Sequence, residues 1–210
     1  MTSATEVLKR LKDGNRRFAS GLKRVETMSD AARRSELAAT GQEPVAIILG
    51  CSDSRVPAEM VFDQGLGDLF VIRVAGNIVA PSQVGSVEFA AERYGIPVVV
   101  VLGHSMCGAI LATLEELGRP SEVQSPNLRS IVDRIRPSIE ALLDNERHST
   151  PDELVEQAVR ANVMASVNHL RHGSQILEKL IQHTGLEVVG AEYCLETGVV
   201  EFFDGDSGTG

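Results

Sequence analysis

Near the start of the chain the apolar positions Val7, Leu8, Leu11 and Phe18 recur at helical spacing among Lys9, Arg10, Lys12, Arg16 and Arg17. That pattern predicts an amphipathic helix. A second, more polar helix is predicted over Ser29 to Ala39, stopping near Gly41. From Pro44 the pattern changes to strand, loop and helix in alternation. Val45 to Leu49 is a short continuous apolar run, as expected for a parallel strand buried on both faces. A helix is predicted from Ala58 to Asp63, a strand from Leu69 to Val74, and a helix from Val84 to Tyr94 closed by Gly95. The third strand runs from Val98 to Leu102, and a helix follows from about Cys107 to Leu117. Asn127 to His183 reads as wholly helical, with Pro137 and the Ser149–Pro151 turn as its breaks. Two closing strands, Glu187 to Tyr193 and Val199 to Phe203, flank Glu196-Thr197-Gly198, which fits an antiparallel hairpin.

Strands alternating with helices predict an α/β fold: a mainly parallel central sheet with an antiparallel edge hairpin, flanked by helices. Residues 1–40 are expected to form an N-terminal helical arm, 41–204 the α/β domain, and 205–210 a flexible tail. The arm precedes the first strand, so its helices are expected to cover the sheet or to reach across to a partner chain.

Composition narrows the function classes. Lys+Arg 20 against Asp+Glu 29 leaves a formal net charge of −9, which repels phosphate backbones and anionic lipid. Nucleic-acid and membrane-surface binding are therefore not expected. The longest uncharged, mainly apolar runs, Pro44 to Ser52 and Gly95 to Gly103, are read as well short of the roughly 18 residues a membrane span needs. The opening MTSATEVLKRLKDGNRRF is charged throughout, without the apolar centre of a signal peptide, and a cytoplasmic location is expected. Three cysteines in such a chain point to a reducing compartment, where thiols act as ligands, nucleophiles or core residues.

The chemistry concentrates at two strand ends, where α/β sheets build their sites. The first strand runs into Gly50-Cys51-Ser52-Asp53-Ser54-Arg55-Val56-Pro57, and the third into Gly103-His104-Ser105-Met106-Cys107-Gly108. If these strands are parallel neighbours, Cys51, His104 and Cys107 converge. Two thiolates and an imidazole make a catalytic zinc set, with a fourth position left for water. Cys107 is expected in the first turn of the following helix, whose N-terminus favours a thiolate. The glycines before each motif, Gly50 and Gly103, are expected to permit tight turns. Arg55 can hold Asp53 by two parallel hydrogen bonds and keep it ionised. Such an aspartate either binds the metal itself or accepts a hydrogen bond from a zinc-bound hydroxide and aims it. Each feature alone is commonplace; a complete ligand set on two strand ends is not. Cys194 is read as a packed strand residue, and His148, His169, His172 and His183 as solvated or capping groups.

CSDSRVP at Cys51 to Pro57 and GHSMCG at Gly103 to Gly108 resemble the two zinc motifs of the β-class carbonic anhydrases. The resemblance extends to LKDGNRRF, DQGLGDLFVIRVAGN, GSVEFAAERYG and VVGAEYCLETGVVEFF, nearly the whole chain. It implies Zn2+ held by Cys51, His104 and Cys107, with Asp53 a ligand only in a closed form, and Asp53–Arg55 as the catalytic dyad. It implies a lyase that reversibly hydrates carbon dioxide to bicarbonate and a proton, with a zinc-bound hydroxide attacking the gas. Gln42 resembles a substrate-contacting glutamine, and Phe70 an aromatic of the substrate cleft. Val56, Phe89 and Gly108 would complete the walls, with Phe89 standing where many members carry tyrosine. Members form homodimers or dimers of dimers with the cleft at the subunit interface, so Gln42 and Phe70 would serve the neighbouring chain's zinc.

One branch of the family carries a regulatory bicarbonate site around a tryptophan three residues before the first cysteine. This chain has Ile48 there and no tryptophan, although Arg73 matches the arginine of that site. The chain therefore resembles the constitutively open branch, with Asp53 paired to Arg55. Two other readings use the same ligands: a zinc hydrolase acting on carbon disulfide or carbonyl sulfide, and a non-catalytic zinc or thiol redox sensor. A cysteine phosphatase is excluded, because its loop needs arginine six positions after the cysteine and Pro57 stands there.

Overall fold

The computed structural model describes residues 2–22, 31–118, 125–143 and 150–203. Helix α1 (Ala4–Ala19) opens on a reciprocal cap: Glu6 N–H donates to Ser3 Oγ, and Ser3 N–H donates to Glu6 Oε2. Its apolar stripe buries Val7 and Leu11 completely on the chain's own sheet. Helix α2 (Ala31–Thr40) buries none of its residues.

The strands are β1 (Ala46–Gly50), β2 (Leu69–Arg73), β3 (Val98–His104), β4 (Glu187–Tyr193) and β5 (Val200–Phe203). They form one sheet in the order β2-β1-β3-β4-β5, parallel except for the antiparallel β4–β5 edge. Between them lie α3 (Ala58–Val61), a 3-10 turn (Ala75–Asn77), α4 (Pro81–Tyr94), α5 (Gly108–Gly118), α6 (Pro126–Leu143), α7 (Pro151–His172) and α8 (Gln175–Thr184). Strand side chains alternate between faces, so each face has its own core. Ile48, Val98, Val100 and Leu102 meet α1 and α3 on one face; Ile47, Leu49, Val99 and Val101 meet α4, α7 and α8 on the other. Both central strands are fully buried, which explains their unbroken apolar runs. A third core at the C-terminal end of the sheet joins Cys51 and Cys107 to Ile110, Ile135, Ile139 and Val159.

Four expectations change. The third strand does not stop at Leu102: Gly103 and His104 stay in register with Glu192 and Tyr193 of β4. Pro137 does not break α6, because it faces solvent while Ile135 and Ile139 anchor the helix on the core. The carbonyl left without a donor there belongs to Asp133, itself an exposed residue. The long helical section is instead divided at Gly173 and Ser174, where the Ser174 hydroxyl accepts from Leu177 N–H and caps α8. Helix α4 begins earlier than Val84, with Pro81 in its first turn. The expected tail at 205–210, the start of the Ser29 helix, His148 and Ser149 of the Ser149–Pro151 turn lie outside the described residues. Among the described residues, no helix is long and apolar enough to cross a membrane.

Candidate metal centre

β1 and β3 are parallel neighbours, with Gly50 opposite Leu102, so the two motif loops leave the same edge of the sheet. Cys51, His104 and Cys107 are all buried, and one ligand atom from each lies within 4.8 Å of the others. The two sulfurs are 4.0 Å apart.

The histidine is fixed by its own strand end. His104 Nδ1 lies 2.9 Å from the Ser105 carbonyl oxygen, which can only accept, so Nδ1 carries the proton. That carbonyl is held by its neighbours: Ser105 N–H donates to the Tyr193 carbonyl, and Leu195 N–H donates to Ser105 Oγ. His104 Nε2 is buried and, among the described residues, has no hydrogen-bond partner. A buried orphan acceptor is costly unless something occupies it.

The thiols point the same way. Cys51 is drawn down to about 4, chiefly by its hydrogen bond with Cys107, against the upward pull of burial. His104 and the backbone amides of Asp53 and Gly76 add to the lowering. Cys107 is pushed far above the ordinary thiol range by Cys51 and then by burial. The pair therefore releases one proton readily and resists losing the second. A dication held by both thiolates would offset both the repulsion and the burial. Cys107 sits just before α5 rather than within its first turn, and the amides of Ala109 and Ile110 favour its thiolate. Two thiols and an imidazole, with no fourth protein ligand among the described residues, fit a soft-to-borderline metal such as zinc.

Asp53 is held beside this cluster by Arg55. Arg55 Nε donates to Asp53 Oδ1 at 2.9 Å, a terminal guanidinium nitrogen donates to Oδ2 at 2.7 Å, and Arg55 N–H donates to Oδ1 at 2.9 Å. These bonds hold the Asp53 carboxyl well below the usual range, against a smaller opposing effect of burial. Asp53 Oδ2 is 3.9 Å from His104 Nε2. Arg73, at the end of β2, clamps the loop from below, donating to the carbonyls of Cys51 at 3.0 Å and Asp53 at 2.5 Å. The sequence marks Arg73 only by its family position; its contacts depend on β2 lying beside β1.

The other named residues divide into two places. Val56 is buried beside the loop, its N–H donating to the Asp53 carbonyl, and Gly108 opens α5 onto free space. Gln42, Phe70 and Phe89 do not join this cluster within the chain. Phe70 is in register with Ile47, four residues before Cys51, or about 13 Å back along the strand. It packs with Phe89 and Tyr94, and Gln42 Nε2 donates to the Tyr94 hydroxyl at 3.0 Å. The glycines also have other reasons than turns. Gly50 and Gly103 both lie inside strands, and the left-handed residue of the second loop is Met106. Cys194 follows β4 instead of packing within it, half-buried on a groove of about 400 Å³ with Ser105, Met106 and Glu192.

A family model for carbonic anhydrase matches residues 46–200. Carbonic anhydrase 2 of Mycobacterium tuberculosis is 38% identical over 197 residues, covering 94% of this chain and 91% of its own. The chain belongs to the β-carbonic anhydrase family. The carbonic anhydrase of Mycolicibacterium smegmatis is 41% identical over 194 residues, covering 92% of this chain and 90% of its own. The solved β-carbonic anhydrase CcaA superposes with a TM-score of 0.75 at 28% identity, covering 95% of this chain and 88% of that one. The β-carbonic anhydrase CafA of Aspergillus fumigatus gives 0.73 at 27% identity, covering 83% of each chain. The buried Cys51, His104 and Cys107 all fall within the matched residues.

Proposed function

We propose that this chain reversibly hydrates carbon dioxide to bicarbonate and a proton, with Zn2+ held by Cys51, His104 Nε2 and Cys107. The observation that carries the reading is the orphaned, buried Nε2 of His104 beside two buried thiols. When bound, the metal supplies Lewis acidity, which makes hydroxide available as a nucleophile near neutral pH. Asp53 then acts as an orienter. Its carboxylate accepts a hydrogen bond from the attacking O–H and directs the oxygen lone pair at the carbon. Because Arg55 keeps Asp53 ionised, Asp53 aims the nucleophile without retaining its proton, which passes to bulk buffer. Arg73 keeps the Cys51–Asp53 backbone, and therefore both side chains, in one register. The apolar Val56 and the open space over Gly108 suit a small neutral gas.

Gln42, Phe70 and Phe89 contribute to a substrate cleft only across a homodimer or dimer of dimers. Phe89, 54% exposed, and α2, with no buried residue, support such an interface. The three cysteines, all free thiols, suit a reducing, cytoplasmic location. Metal analysis with stopped-flow hydration of carbon dioxide tests the reading in wild type and Asp53→Ala. One zinc per chain is expected in both, with turnover in the variant lower by about 100-fold. Full turnover without Asp53 would remove the dyad from the mechanism. A purified chain without metal would remove the ligand set.

A further inference from the structure

Cys51 receives a hydrogen bond that no residue of the two motifs explains. Gly76 N–H donates to Cys51 Sγ at 3.4 Å. Gly76 is left-handed, with φ 67, and a Cβ there would lie 2.8 Å from Ile135 Cδ1 and 3.0 Å from Ala109 Cβ. The 3-10 turn is thus wedged against α5 and α6, and α7 closes the remaining side. Asn162 Nδ2 donates to the Gly76 carbonyl at 2.8 Å, and Ser166 Oγ donates to the Asn77 carbonyl at 3.1 Å. These residues are one helical turn apart on a face otherwise formed by Val159, Val163 and Val167. Both are buried, at 2% and 5% exposure. Asn77 N–H closes the turn onto the Val74 carbonyl. The peptide that follows Gly76 is therefore held at both its C=O and its N–H, and the Gly76 N–H one peptide earlier is positioned through that hold.

We propose that Asn162 and Ser166 are positioning residues that tune the electron donation of Cys51 to its metal by holding the Gly76 amide against the sulfur. The proposal rests on Cys51, His104 and Cys107 being the ligand set. An N–H donated to a thiolate withdraws electron density from it. The metal then receives less charge from that sulfur and remains a stronger Lewis acid, a common action of groups behind the ligands. A purely structural role would require only that the two buried side chains have partners. It would not require those partners to be the carbonyls that orient a ligand's donor.

The test loads the full chain with Co2+, whose sulfur-to-metal charge-transfer band reports the electron density on the thiolates. Wild type should bind one Co2+ per chain and show the band. Asn162→Ala and Ser166→Ala should bind Co2+ but shift the band to longer wavelength, because a sulfur without its N–H is easier to oxidise. Ser166→Thr keeps the hydroxyl and should restore the wild-type band. Ser174→Ala removes another buried hydroxyl, one bonded to Glu88 and the α8 N-terminus. It should lower the melting temperature without moving the band. If Asn162→Ala does not fold, the milder Ser166→Ala carries the same comparison. A band at the wild-type position in the alanine variants that fold, or an equal shift in Ser174→Ala, overturns the proposal. A wild type that takes up Co2+ with no such band overturns the ligand set itself.

Discussion

Gly50 and Gly103 precede the two motifs in equivalent positions, each inside a parallel strand and without left-handed backbone. Alanine should nevertheless have opposite effects at the two sites. A Cβ on Gly103 would lie 2.5 Å from Val163 Cγ2 and 3.3 Å from Val159 Cγ1. Comfortable carbon contacts begin near 3.5 Å, so about 1 Å must be found. Val163 is fully buried and β-branched, held to one rotamer in a helix, so it cannot swing aside. Either α7 retreats or the end of β3 moves, and His104 is the next residue. Overpacking of this kind costs about 1–3 kcal/mol, offset by the roughly 0.5–1 kcal/mol gained when a strand glycine becomes alanine. The net loss of up to about 2.5 kcal/mol corresponds to a melting temperature lower by up to roughly 10 °C in a chain of this size. On Gly50 the nearest atom would be the Leu102 carbonyl oxygen at 3.7 Å, an ordinary contact. Gly50→Ala should therefore be neutral or stabilised by up to about 1 kcal/mol. Scanning calorimetry at fixed protein and zinc concentration compares them, and zinc release to a chelator should accelerate only in Gly103→Ala. Equal melting temperatures, or a larger loss at Gly50, would refute the packing explanation.

Asn15 ties α1 to the far end of the chain: its Nδ2 donates to the carbonyls of Val61 and Gly198, and Val200 N–H donates to its Oδ1. Asn15→Ala strands three backbone groups and should destabilise by about 3–5 kcal/mol, read as a lower urea midpoint with unchanged slope. Glu192 gives a pH test away from the centre. Burial raises its pKa above the ordinary 4.5, outweighing the Arg160 ion pair that pulls it down. A carboxyl raised on folding binds more protons in the native state, so it lowers stability as pH rises through and above that value. Glu192→Gln should match wild type near pH 4 and become the more stable of the two toward neutral pH. A variant that loses ground as pH rises would mean the Arg160 pair outweighs burial.

How much was legible follows from which signals are local. The valine run of β3 and the apolar run of β1 announce buried parallel strands because no face of either is wet. Strand ends in such a sheet collect chemistry, so Cys51 and His104 could be paired across more than fifty residues of chain. The length of β3 was not legible, because Gly103 and His104 break the apolar pattern while keeping the β4 ladder. Pro137 misled for a related reason: a proline lacks a donor everywhere, but only the tertiary fold reveals that its face is wet. The need for glycine at Gly103 is invisible from the loop that follows it, since the obstacle is Val163, sixty residues later. Asn162 and Ser166 are further still, polar letters in an apolar helix face that acquire meaning only against Gly76 and Asn77.

Charge explains why so polar a centre can sit inside a core. Asp53 and Arg55 cancel one another through paired hydrogen bonds, and two thiolates cancel a dication. A dication held by the two thiolates and the imidazole would therefore leave metal and ligands with no net charge before hydroxide joins them, and the desolvation that penalises isolated buried ions would be largely avoided. The chain's net charge of −9 lies outside that balance. A neutral gas crosses such a field without work, whereas an anionic product is repelled once formed. On the proposed reaction, the surface charge and the neutral interior act in one direction: the site admits carbon dioxide freely and holds bicarbonate weakly, with no dedicated exit gate required.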